Sequence, residues 1–174
     1  MKSPFKTIAL VVIGPVLFLP ALPCRAADPP PPGLAAALIV KLAAFERNLA
    51  SEEGDISICV IGAPLLAEKL ERAIGYRIGS GQLKKVLQVD SIPEEVPTIV
   101  CLGDSTKLSE VKAYTRDNKI LSVTTVPGLV AEGISLGIGI GGNRKPEVTL
   151  NLTSSREEDL DWNPAIFKIV QIVE

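Results

Sequence analysis

Leu121–Leu152 reads LSVTTVPGLVAEGISLGIGIGGNRKPEVTLNL, and the way it is punctuated decides the fold. Ile120 to Thr124 is a short apolar run rich in β-branched residues, the signature of a buried strand. Pro127 to Glu132 then reads as one helical turn, since proline suits a first helical position and Gly133 closes it. Ile134 to Ile140 and Val148 to Leu152 follow as two strands joined by the tight turn Gly142-Asn143-Arg144-Lys145, an antiparallel hairpin.

Working upstream, strands and helices alternate. Thr98-Ile-Val-Cys-Leu-Gly103 reads as a buried strand, and Asp104 or Ser105 can cap a helix over Thr106–Arg116 by accepting from its open N–H groups. Leu83 to Val89 reads as another strand, with Lys84 and Lys85 marking an exposed edge. Ile56-Ser-Ile-Cys-Val-Ile61 followed by Gly62 is a nearly continuous β-branched run, as expected for a strand buried on both faces. Pro64 opens an amphipathic helix that ends at Gly75. Leu34 to Leu49 reads as one long helix with Leu34, Leu38, Leu42, Phe45 and Leu49 in a stripe. Downstream of the hairpin, Thr153 to Asp161 reads as a polar, acidic loop. Pro164 then starts a final helix over Ala165–Val173, with Trp162 wedged at its start. The pattern predicts an α/β fold: a three-layer αβα sandwich around a mostly parallel mixed sheet with a C-terminal antiparallel hairpin. Right-handed crossovers place the 56–61 and 98–102 strands side by side.

Composition narrows the function. The chain has 174 residues, 47% of them apolar and 4% aromatic, enough for one aliphatic core. It contains no histidine, which removes the usual zinc ligand and the Ser-His and Cys-His nucleophile pairs. A net charge of −2 argues against a nucleic-acid partner. Lys2 and Lys6, the apolar run Ile8–Leu19, and Cys24-Arg25-Ala26 read as a signal peptide over residues 1–26. An uncleaved anchor is the alternative, although prolines interrupt the run and it is short for a span. Cleavage leaves a Pro-rich lead over 27–33, a single domain over 34–174, and no segment for direct membrane insertion. It also leaves Cys59 and Cys101 as an even pair in an exported chain. They read either as a disulfide across adjacent strands or as two buried thiols, and the expected strand order favours the bridge.

The remaining motifs carry no chemistry. Gly137-Ile-Gly-Ile-Gly-Gly142 lacks the helix that a phosphate loop opens into, and glycines within a strand mark a bend or a close backbone approach. Arg144 and Lys145 read as turn charges. Glu94-Glu95 and Glu157-Glu158-Asp159 read as solvated loops. Asn151-Leu152-Thr153 fits a glycosylation sequon but falls in a strand. No cofactor or metal site and no catalytic residues are indicated. Gly62-Ala63-Pro64 and Gly103-Asp104-Ser105, at the carboxyl ends of two strands, could line a small-ligand crevice.

The order ISICVIG, TIVCLG, KILSVTTVPGLVAEGISLGI, PEVTLNLT and a short apolar end resembles the YfiR family of exported bacterial proteins. The resemblance rests on Cys59 and Gly62, Cys101 and Gly103, Pro127-Gly128 with Gly133, and Asn151. It implies a periplasmic, often dimeric domain that enzymatically does nothing itself. Such proteins restrain a membrane-bound signalling enzyme, a diguanylate cyclase or sensor kinase in cyclic di-GMP control. It also implies that Cys59 and Cys101 are bridged, and it makes the first helix, through Leu34, Leu38, Leu42 and Phe45, the expected partner surface. Asn48 and Leu49 replace the Trp-Pro pair with which that helix commonly ends in the family.

Overall fold

The structure, a computed structural model, describes residues 28–51 and 54–174; the expected leader lies outside the described residues. Its backbone is one eight-stranded sheet. In chain order the elements are α1 (Pro32–Ala43), α2 (Arg47–Ser51), β1 (Asp55–Ile61), α3 (Pro64–Glu71), β2 (Arg77–Ile78) and β3 (Gly81–Val89). Then come β4 (Ile99–Leu102), α4 (Leu108–Asn118), β5 (Leu121–Thr124), α5 (Gly128–Ala131), β6 (Leu136–Ile140) and β7 (Pro146–Asn151). The chain closes with α6 (Leu152–Glu157), a 3₁₀ turn (Pro164–Lys168) and β8 (Gln171–Val173).

Across the sheet the order is β2-β3-β1-β4-β5-β6-β7-β8. The β3-β1-β4-β5-β6 block is parallel, β2 and β7 run antiparallel to their inner neighbours, and β8 is parallel to β7. The α/β class, the covered parallel sheet and the β6-β7 hairpin are therefore as the alternation of patterns predicts.

Two apolar layers hold the sandwich together. On one face α1 and α3 cover Ile58, Val60, Ile99, Cys101 and Val123. On the other, Val111 of α4 and Leu129 of α5 cover Cys59, Ile61, Val100 and Leu102. Alternate residues of each central strand serve opposite layers, the reason both runs are continuously apolar. The glycines of β6 follow the same alternation. Leu136 and Ile138 fill the first layer, while a Cβ at Gly137 would collide with Val130 of α5. The LGIGI pattern is thus large on one face and bare on the other so that α5 can lie against the backbone.

Three local expectations need correction. The first helix is broken: α1 ends at Ala43, and Glu46 pairs as an isolated bridge with Trp162 before α2 begins. The 153–161 segment is largely helical. Asn151 caps α6, its Oδ1 accepting from the Ser154 N–H at 2.9 Å, which satisfies one of the helix's open donors. The chain end is not a helix but the 3₁₀ turn followed by β8. The reason is tertiary: without β8, β7 would leave its outer row of peptide groups unpaired, and a β-branched QIV run suits a strand.

Candidate functional site

The two cysteines lie on neighbouring parallel strands, as the crossover rule requires. They do not face each other. Cys59 stands opposite Val100, and Cys101 stands opposite Val60, so the register differs by one residue. In a pleated sheet one residue reverses the side-chain direction, and the thiols point into opposite layers. Both are free and buried. The expected disulfide is therefore absent, although the strand adjacency on which it rested is right. Burial pushes the Cys59 thiol up to about 11 and raises that of Cys101 further still. Both are inert as nucleophiles at neutral pH.

The loops at the carboxyl ends of β1 and β4 close on each other. Gly62 has a φ of +71°, and a Cβ there would run into the Asp104 carboxylate. A Cβ at Gly103 would come 2.6 Å from the Gly62 carbonyl oxygen. Asp104 itself accepts from the Thr106 hydroxyl and from the Thr106 N–H at 2.8 Å, which hold its carboxyl below the ordinary range. These are packing glycines. The hollow left nearby, about 270 Å³, is lined by Ala63, Pro64 and Leu65 with Pro29, Pro30 and Thr125, and the 103–105 loop takes no part in it.

Pro127, Gly133 and Asn151 have structural places, and Gly128 is simply the first residue of α5. Pro127 enters α5, and Gly133 leaves it at a φ of +114° beneath the Lys112 side chain, whose Nζ donates to the Glu132 carbonyl at 2.6 Å. A Cβ at Gly128 would meet nothing within 4 Å. Asn151 is buried, which rules out the sequon as an acceptor site. Its Nδ2 donates to the Val130 carbonyl at 2.8 Å, and its own carbonyl accepts from Ser155 Oγ at 2.7 Å, so it ties α5 to α6.

A carboxylate that reads as solvated in the sequence is the most buried charge-bearing group on this side. Glu158 is 1% exposed. It accepts from Thr115 Oγ1 at 2.7 Å, the Ser122 N–H at 3.1 Å and Ser135 Oγ at 2.6 Å. Desolvation raises its pKa against the pull of those three donors. Glu46 plays a similar part below α1, accepting from the Leu49 N–H at 2.7 Å and the Asp161 N–H at 2.9 Å. Glu158 gathers hydroxyl and backbone donors and Glu46 backbone donors alone, in each case from separate segments. Among the described residues no three metal-capable side chains cluster, and no helix is long and apolar enough to cross a membrane.

The surface is more informative than the interior. Leu42 of the expected partner stripe is buried, and Leu34, Leu38 and Phe45 are half-buried. The face that α1 turns inward is Ala35, Ala36, Ile39, Leu42 and Ala43. Small alanines let the helix approach closely, which rotates the leucine stripe sideways. Leu65, Ile74, Tyr76 and Val96 are exposed singly on other elements, and at the far sheet edge Phe167, Ile169 and Ile172 are 42%, 54% and 48% exposed in and just before β8.

The YfiR/HmsC-like family matches residues 33–171. The chain belongs to this family. The match runs from the start of α1 to the first residue of β8 and takes in the whole α5–β6–β7–α6 assembly that Asn151 ties together. No curated protein matches the chain.

Proposed function

We propose that this protein is a periplasmic, non-enzymatic regulator, exported by a leader over residues 1–26, whose domain (34–174) restrains a membrane-bound diguanylate cyclase or sensor kinase by protein–protein contact. Membership of the YfiR/HmsC-like family supports the periplasmic regulatory role. The observation that carries the contact is the β8 edge. A strand with one free side offers a row of peptide donors and acceptors, and exposed Ile172, with Ile169 and Phe167 of the segment leading into it, offers apolar area to a partner. Natural sheet edges are normally blunted by charge, so an apolar one marks an interaction surface. The occupant we assign is an extended segment of the enzyme's periplasmic domain. The α1 stripe stays in this reading through Leu34, Leu38 and Phe45 only; Phe45 adjoins the C-terminal segment, its carbonyl accepting from the Asn163 N–H at 2.7 Å.

The test is co-expression with a membrane cyclase or kinase encoded beside it, reading the second messenger or phosphorylation. Export of this protein is expected to lower the enzyme's output. Output that is the same with and without the protein would remove the proposal.

A further inference from the structure

One sizeable cavity belongs to none of the features above. It is a surface groove of about 530 Å³ between α1 and the C-terminal end of α3. Ala36, Ala37, Val40 and Ala73 form its floor. Lys41, Lys69, Arg72 and Arg77 stand around it, and no carboxylate lines it. Among the described residues, the ion pairs these cations make run to a single acid, Glu68, which sits 3.2 Å from Lys69 and 2.5 Å from Arg72. On a chain of net charge −2 this is a local excess of positive charge over an apolar trough. Its volume is in the range of small-molecule sites, which combine an apolar lining with a few convergent polar groups.

We propose that this groove binds an amphipathic organic anion: a carboxylate, held by the rim cations, on an unbranched apolar chain lying along the alanine floor. The shape selects a chain. From Gly33 to Lys41 the groove follows α1 for roughly 12 Å at the helical rise of ~1.5 Å per residue. That is the length of a medium acyl chain and too short to seat a partner helix along its length. The floor of small side chains gives a smooth trough, and Tyr76, 62% exposed at the rim, can close over the chain. The site is separate from the β8 edge, so the ligand would be an input to the domain, and loss of one function does not entail loss of the other.

The experiment is calorimetric titration of the exported chain with decanoate, with methyl NMR shifts to locate it. Saturable binding with shifts at Ala36, Ala37 and Ala73 is expected. Ala37→Trp, at an exposed helix position, should fill the trough and lower affinity by roughly tenfold or more. Lys41→Glu should weaken binding several-fold, and added salt should do the same. Decyltrimethylammonium, with the same chain and opposite charge, should not bind. Equal binding of the cation, decanoate shifts outside the groove, or association with phosphatidylglycerol vesicles in the absence of decanoate binding would each overturn the assignment.

Discussion

The two edges of the sheet are built in opposite ways. At one end β2 pairs with Gly81 and Gln82, and Leu83 exchanges peptide hydrogen bonds with Gly75 and Tyr76, so β3 is open from Lys84 onward. That edge carries Lys84, exposed, and Lys85, ion-paired with Glu95. At the other end β8 is a three-residue strand flanked by exposed apolar side chains and held to β7 on one side. Lysine on an open edge discourages pairing with another chain, because a second strand would have to desolvate the ammonium groups. Within Gln171–Val173 there is no lysine, and the nearest charges, Lys168 and Glu174, flank the strand at its two ends. One edge is defended and the other is left available, and this asymmetry is why we place the partner at β8.

The buried carboxylate that ties α4 and β5 to the lead into β6, on the β8 half of the sheet, is the first place to strike. Glu158→Ala would strand the Thr115, Ser122 and Ser135 donors in a dry interior. A loss of about 3 kcal/mol in denaturant unfolding is expected, with Glu158→Gln recovering part of it. An unchanged midpoint would mean that Glu158 does not anchor this side.

The same residue gives a pH signature. Its pKa is raised in the fold above the ordinary 4.5. The native state therefore binds more protons than the unfolded chain in the window just above that value. The stability this contributes is full below the unfolded pKa and is lost as pH rises through the folded one. Denaturation of the parent and of Glu158→Gln across this window should converge as pH rises, the parent falling while the variant stays flatter.

Removing the guard on the other edge sharpens the contrast. Lys84→Val with Lys85→Val should leave folding within ~0.5 kcal/mol and leave regulation of the membrane enzyme intact. It should also drive self-association visible by sedimentation. A variant that remains as dispersed as the parent would show that these lysines do not protect β3.

The smallest effect concerns the cysteines, which sit in the shared centre and favour neither edge. Thermal unfolding with and without reductant should coincide, and neither thiol should react with a maleimide before unfolding. A reductant-dependent midpoint would restore the bridge.

Most of the architecture could be read from the chain because the relevant signals are local. β-branched runs ending in glycine marked β1 and β4, and the Pro127–Gly133 segment marked α5. The cysteine geometry was also within reach. Cys59 precedes Gly62 by three residues and Cys101 precedes Gly103 by two, and with Ile61 opposite Leu102 that offset puts the thiols on opposite faces. Adjacency without parity was not enough. β8 was obscured for a different reason. Ile166, Ile169, Val170 and Val173 fall at helical spacing, and only the unpaired side of β7 turns that segment into a strand. Glu158 was hidden altogether, since its partners come from α4, β5 and the lead into β6, and nothing in SSREED announces them. The α1–α3 groove likewise depends on two helices meeting.

The most direct test of the proposal that β8 is the docking edge is amide hydrogen exchange of both edges, with and without the periplasmic domain of the proposed membrane partner. The account predicts slowed exchange at the outward-facing amides of Gln171–Val173 and no change over Leu83–Val89. Slowing confined to Leu83–Val89, or at neither edge while the domain is bound, would contradict it.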